Sequence, residues 1–407
     1  MDITFRAPRD RDEALRFFRL ACPALLVPIA QAEAWMEREG YEHLWLAFEG
    51  GSLVGGCLVP PLGQYFGGLA VPTGAFRGVA IAPEARGKQI AERLMRHVLL
   101  ELRAQGIPTA MLFPATQRLY RKAGFEQAGS YEVVTIPMHE FDRAPKSFTA
   151  LGVTAEIEAV VENLPVREVG LDDPILRILY ESLSSRSQGL FRRNDWLWDR
   201  VLRPTAPMDL FAYVFGPNED PEGYVVVHVE KGATPHYGTL VVRDRAIVTA
   251  GAARSARAFF ARWRSTIDRV RFVTGPTDPL LIGLDNQQTA TTERRDRFMF
   301  RVVDPKRALE ARGYPPIDAT VHLAIRDETL TERDQRMLLR VQGGRATVEP
   351  GGSGLVQLDV RGLSAMYTGY LSAAQAAALG YVRGDPSSAR ALEACFAGPA
   401  PWVADYV

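Results

Sequence analysis

Cysteine is scarce in this chain: Cys22, Cys57 and Cys395 are the only three in 407 residues. They are odd in number, far apart and without histidines at metal-ligand spacing, which excludes a disulfide framework and gives no zinc site. A reducing compartment and no structural metal are expected. There is also no surplus of either charge, with 48 Lys and Arg against 48 Asp and Glu. No global field gathers nucleic acid or anionic lipid, so a charged ligand has to be met locally. Long hydrophobic runs are missing too: no stretch is apolar for 18 residues, and the start, "MDITFRAPRDRDEALRFF", has no apolar core after a basic end. The expectation is a cytoplasmic protein with no membrane and no nucleic-acid partner.

What is present is length and a recurring order. A chain of this size predicts two or three domains, each with its own core. Residues 10–39 carry two helical patterns separated at Pro23 and Pro28, and "LWLAFEGGSLVGGCLVP" reads as strand, Gly-Gly turn, strand. A further strand, a long helix, the strand "TAMLFP", the short helix "ATQRLYRKAGF" and the strand "YEVVTIPM" complete a first module. The same order returns with "LFAYVFGPNEDPEGYVVVHVE", "GTLVV", "SARAFFARWRSTI", "VRFVTG" and "PLLIGL". A degenerate second copy is expected, matched in order and spacing and not in residue identity. From about Pro305, "ATVHLAIRD", "QRMLLRVQGGRATVEP" and "GLVQLDVRGLSAMYTGYLS" read as strands linked by glycine turns, followed by Ala- and Leu-rich helices. The expected organisation is α/β (α+β) in three domains, 1–148, 149–304 and 305–407.

One stretch carries chemistry: "GVAIAPEARGKQIAERLM", residues 78–95. It reads as a strand ended by Pro83, a charged turn, and a helix with Ile90, Leu94, Val98, Leu99 and Leu102 on one face. The leading amides of a helix lack internal partners and stand at the positive end of its dipole. Gly87, Lys88, Gln89, Ile90 and Ala91 are therefore candidates to present N–H groups to a phosphate, with Arg86 and Lys88 adding charge. The plain alternative is a solvated turn, although basic residues are disfavoured at that helix end. A second candidate is "LYRKAGFEQAG", which sets Tyr120 one turn before Gly124 on a short helix. A lone tyrosine there is a packing residue or a positioned phenol.

The stretch from Gly78 resembles motif A of the GNAT superfamily of acetyl-CoA-dependent N-acetyltransferases, in which an Arg-x-x-Gly-x-Gly/Ala turn cradles the pyrophosphate of coenzyme A. The match runs over Arg86, Gly87, Lys88, Gln89, Ile90 and Ala91, with Gln89 in place of the usual glycine; a Cβ there narrows the approach to the phosphate. The resemblance implies that strand residues Val79, Ala80 and Ile81 meet the pantetheine arm. It also implies that Tyr120, four residues before a Gly-Phe pair, protonates the departing thiolate. The second copy offers "TAGAARS" at the corresponding helix start and has no such tyrosine.

At the scale of the whole chain, two GNAT modules followed by a sterol carrier protein-like domain resemble the enhanced intracellular survival (Eis) family. The residues that carry this are "VQLDVRGLSAMYTGYLSAAQAAALGYV" and the terminal "APW". The likeness implies direct transfer to an amine in a ternary complex and a homo-oligomer, a hexamer in that family. It also implies a chain-terminal carboxylate, here that of Val407, in the first active site. An α-carboxylate of pKa about 3.5 is a poor base unless burial raises it or a water relays the proton, so it anchors the ammonium at least, with a general base as the alternative role. The amine is a small molecule or a lysine side chain. Family members that modify aminoglycosides use acidic residues around an open cleft, whereas "ALLVPIAQAEAW" is apolar up to Glu33 and Trp35. Trp35 is a candidate substrate contact or plain core. A non-catalytic acyl-CoA-binding module and an apolar-ligand carrier are the alternatives.

Overall fold

A computed structural model describes residues 3–142, 163–204, 208–232, 237–284, 286–331 and 334–407. The expected limit at 148/149 lies outside the described residues. The chain divides into two compact units, one of Met1–Gly129, Arg297–Pro401 and Asp405–Val407, the other of Ser130–Asp296 and Trp402–Ala404.

In the first module the order is β1 (Ile3–Arg6), α1 (Arg11–Ala21), α2 (Ala32–Glu39), β2 (Leu44–Glu49), β3 (Ser52–Leu58), β4 (Pro61–Phe66), β5 (Leu69–Ile81), α3 (Ile90–Ala104), β6 (Thr109–Leu112), α4 (Gln117–Lys122) and β7 (Glu126–Pro137). Gly50 and Gly51 take φ of 57° and 85°, the left-handed pair that a tight hairpin between β2 and β3 requires. β1, β2, β3 and β5 pair antiparallel in that order, and β6 lies parallel on the other side of β5. α3 covers this sheet with Ile90, Leu94, Met95, Val98, Leu99 and Leu102, all buried, which is the apolar stripe expected from the sequence.

The second unit opens on the later part of β7 and continues with α5 (His139–Asp142), β8 (Val166–Val169), α6 (Pro174–Ser184), β9 (Phe191–Arg192), α7 (Asp195–Leu202), β10 (Phe211–Phe215), β11 (Gly223–Lys231), β12 (Gly238–Ile247), α8 (Ala250–Ala261), β13 (Ile267–Thr274), α9 (Pro279–Ile282) and the start of β14 (Thr291–Val302), which belongs to the first unit from Arg297 on. Its sheet runs β7, β13, β12, β11, β10, β8, with β12 and β13 parallel and the other pairs antiparallel. The strand, helix, parallel strand and short helix from β12 to α9 repeat the order of β5 to α4.

The remaining elements belong to the first unit: α10 (Pro305–Ala311), β15 (Ala319–Arg326), β16 (Gln335–Gln342), β17 (Arg345–Pro350), β18 (Val356–Asp359), α11 (Val360–Tyr367), α12 (Ala373–Ala378), β19 (Val382–Gly384) and α13 (Pro386–Cys395). They build a sheet ordered β17-β16-β15-β18-β19. The strand expected through residues 354–372 stops at Asp359. Its carboxylate caps α11 by accepting from Arg361 N at 2.9 Å, and Val360, Leu363 and Tyr367 recur at a helical and not an alternating period. Polar bonds tie the domain to the rest of the first unit. Arg301 on β14 pairs with Asp327 at 2.7 Å, the Thr368 hydroxyl donates to Ala128 O at 2.8 Å, and the Tyr381 hydroxyl donates to Glu126 at 2.6 Å.

Candidate active site

β5 has two partners over its first half and one over its second. Thr73, Gly74, Ala75 and Phe76 pair with Thr109, Ala110, Met111 and Leu112 of β6, and the ladder stops there. Beyond it Ala80 and Ile81 still pair with Gly56 and Gly55 of β3. Opposite Cys57 the register slips, and Gly78 there has φ +60°, a β-bulge that bends β5. β6 itself ends at Leu112, so beyond Phe76 β5 lacks its parallel partner, a wedge in the ladder whose β5 side carries Val79, Ala80 and Ile81. Glycine inside a strand pattern was the available signal for the bulge, and reading "GVAIAP" as plain strand missed it.

β5 leads into the turn before α3. The helix begins at Ile90, so Gly87 and Lys88 precede it and Gln89 is its N-cap, later than the expected opening at Gly87. Gln89 stands at φ +60° and makes no side-chain capping bond. The residue that replaces glycine thus keeps the left-handed backbone glycine takes freely, at a cost of about 1 kcal/mol. The first-turn amides have no side chain of Gln89 on them. Gly87 is at φ +83°, and a Cβ there would meet nothing within 4 Å. A cavity of about 370 Å³ opens at this point, lined by Ile81, Arg86, Gly87, Gln89, Ile90 and Ala91 and, across it, by Arg118 and Lys122 of α4. Arg86 Nε donates to Ile81 O at 3.3 Å, and Lys88 pairs with Glu49 at 2.6 Å. The residues fit a diphosphate: uncapped amides at a helix start with cations on both sides.

Tyr120 lies on α4. Phe125 N and Ala123 N both return to Tyr120 O at 3.0 Å, closing the helix through Gly124 at φ +83°. A Cβ on Gly124 would stand 2.8 Å from the Arg301 guanidinium, so only glycine fits this turn. The ring is 6% exposed, in one core cluster with Cys57, Phe76 and Phe125. Burial, with Cys57 beside it, pushes the phenol up to about 12, and burial drives the Cys57 thiol up as well. At neutral pH Tyr120 carries its proton.

The chain end comes to the same strand end. Tyr406 stacks on Phe113, the residue after β6, with centroids 4.0 Å apart and planes 24° from parallel, and Val407 is buried at 6% exposure. Just before it, in the second unit, Trp402 N donates to Gln188 O and Val403 N to Ser130 O, each at 3.0 Å. Sequence reasoning named Val407 and missed Phe113 and Tyr406, an aromatic pair separated by almost the whole chain. Trp35 is half-buried, edge-on to Phe18 at 4.8 Å, and a Cβ on Gly78 would lie 3.9 Å from its ring. It packs as core and also borders the bulge.

Acetyltransferase (GNAT) domain profiles match residues 6–128 and 189–302, and a sterol carrier protein domain profile matches residues 305–404. The chain is 26% identical over 350 residues to the N-acetyltransferase Eis of Mycobacterium bovis (strain BCG / Pasteur 1173P2), covering 82% of this chain and 80% of that protein. A GCN5-related N-acetyltransferase from Anabaena variabilis superposes with a TM-score of 0.89 at 31% identity over the whole of both chains. Another from Kribbella flavida gives 0.83 at 26% identity over 100% of this chain and 98% of that one. With two GNAT folds in tandem and a sterol carrier protein-like domain behind them, the chain belongs to the Eis-like family of GNAT N-acetyltransferases and is an acyltransferase.

Proposed function

We propose that the first module transfers an acetyl group from acetyl-CoA to a primary amine, of a small molecule or of a lysine side chain, by direct attack within a ternary complex. The observation that carries this reading is the wedge beside β5 ending on the uncapped start of α3. Arg86, Gly87, Lys88, Gln89, Ile90 and Ala91 hold the diphosphate, and Val79, Ala80 and Ile81 offer strand backbone to the pantetheine arm. Acetyl-CoA supplies the activated acetyl group as a thioester. Strand N–H donors fixed before binding stabilise negative charge developing on the carbonyl oxygen.

Tyr120 is the general acid. A phenol raised to about 12 is a weaker acid than a free thiol of about 8.5. The same apolar surroundings raise the neighbouring Cys57 thiol, and they raise a departing thiolate in the same way, so the proton moves from Tyr120 Oη to sulfur. The Val407 carboxylate holds the substrate ammonium or acts as its base, and the proton the amine loses passes through water to solvent, from which the Tyr120 phenolate is reprotonated. Trp35 flanks the amine.

The proposal includes domain limits at 1–148, 149–304 and 305–407, a cytoplasmic location, and a homo-oligomer, a hexamer by family likeness. Among the described residues no helix is long and apolar enough to cross a membrane.

Free thiol released from acetyl-CoA in the presence of a panel of amines tests the reading, and no release with any amine would favour a binding module or carrier. A one-residue extension displaces the terminal charge by up to about 3.5 Å and puts an amide in its place. C-terminal extension should therefore remove most activity while Val407→Phe is tolerated. Equal rates for the extended and native ends would remove the carboxylate from the site.

A further inference from the structure

A second cavity, of about 440 Å³, adjoins the one at the start of α3 and shares Gln89, Glu92 and Lys122 with it. Its walls come from α3, from α4 and from two segments of the C-terminal domain, around Glu328 and Thr329 and around Asp359 and Arg361. Five cationic side chains face three carboxylates there. Most of these charges are already matched. Lys122 pairs with Glu92 at 3.0 Å, Arg361 with Asp359 at 2.8 Å, Arg121 with Glu126 at 2.8 Å, and Glu328 with Arg326. Arg93 and Arg96 are left, with no carboxylate partner among the described residues, one turn apart on the same face of α3. Two like charges at that spacing repel each other and weaken a helix.

One of the two is held in place. Arg96 Nε donates to Thr329 O at 2.8 Å, committing one of its five N–H donors. The loop that presents this carbonyl is fixed from behind: the Asp327 carboxylate accepts from Thr329 N at 3.1 Å and from Leu330 N at 3.3 Å while paired with the fully buried Arg301. The Thr329 hydroxyl also donates to Lys122 O at 3.3 Å. Solvated surface arginines need no such support.

We infer that this cavity takes the 3′-phosphate at the nucleotide end of coenzyme A, with Arg93 and Arg96 as its anion contacts and the C-terminal domain as the support that holds Arg96. The inference rests on the diphosphate lying at the start of α3. Arg93 and Arg96 stand three and six residues into that helix, roughly 4.5 and 9 Å along its axis, in a cavity that shares Gln89, Glu92 and Lys122 with the diphosphate's own. A phosphate dianion between two guanidiniums replaces their repulsion with charge-assisted hydrogen bonds.

Calorimetric titration with coenzyme A and with 3′-dephospho-coenzyme A tests it on the full chain. Native protein should prefer coenzyme A by about tenfold or more, Arg93→Gln and Arg96→Gln should each reduce the ratio, and the double variant should bring it close to one. Arg86→Ala should weaken both ligands by the same factor and leave the ratio intact. Equal affinity of the native protein for both ligands, or an unchanged ratio in the double variant, overturns this inference and leaves the diphosphate site standing. If neither ligand binds, both this inference and the diphosphate site are overturned.

Discussion

The two modules start their central helices in opposite ways. α3 begins without a side-chain cap, behind a turn with two left-handed residues, Gly87 and Gln89. α8 begins with Thr249, whose hydroxyl accepts from Ala252 N at 3.0 Å and donates to the Glu222 carboxylate. The strands behave likewise. Past Val242, β12 loses its parallel partner just as β5 does past Phe76, but Arg245 crosses the gap, donating to Val273 O at 3.0 Å and pairing with Asp278. Asp278 also accepts from the Thr274 hydroxyl at 2.9 Å and caps α9 through Leu280 N. In the second module the helix start is capped and the strand gap is bridged by the protein's own side chains. The first leaves both for a ligand.

Breaking the filled gap should have the largest effect. Arg245→Ala leaves Asp278 buried without its cation and should lower unfolding free energy by about 3 kcal/mol, the low end for a severed buried pair because two hydrogen bonds to Asp278 remain. Denaturant midpoints read this out, and replacing both partners by apolar residues should recover most of it. Tyr120→Phe, in the open module, should leave the midpoint near native and lower turnover by about 10²-fold.

The same phenol sets a pH dependence. With its folded value raised to about 12, Tyr120 stays protonated through the alkaline range, so turnover should go on rising to about pH 10 as the amine loses its proton. A falling limb near pH 8 or 9 would mean that another group is the acid. At the helix starts, Arg86→Ala should weaken acetyl-CoA binding by about 1 to 3 kcal/mol with little change in stability. Thr249→Ala should do the reverse, costing about 1 kcal/mol of stability and nothing in coenzyme affinity.

Local features were legible in the residues. The strand, turn and helix of residues 78–95 lie within one short stretch, and the spacing of Tyr120 before Gly124 is equally local. The repeat of the order in the second module was readable for the same reason. Less legible was whatever depends on pairing across the chain. The wedge arises because the β6 ladder stops at Leu112 and β5 bulges at Gly78, and β14 returns from residues 299–302 to flank β6. Tyr406 meets Phe113 only in the folded chain. α11 was misread because an apolar run looks alike in a buried strand and a buried helix, and the capping carboxylate of Asp359 settles it only when weighed against the residues after it.

The Arg301 and Asp327 pair sets a limit on dissecting this protein. Arg301 is fully buried under the Gly124 turn, and its counter-charge comes from a residue beyond the match to either GNAT domain. Cutting the chain after residue 304 would strand that guanidinium in the interior and take from Glu126 the tyrosine that caps it. The C-terminal domain is thus no detachable accessory: a shortened chain carrying both acetyltransferase folds would have lost part of the foundation beneath the turn that follows Tyr120.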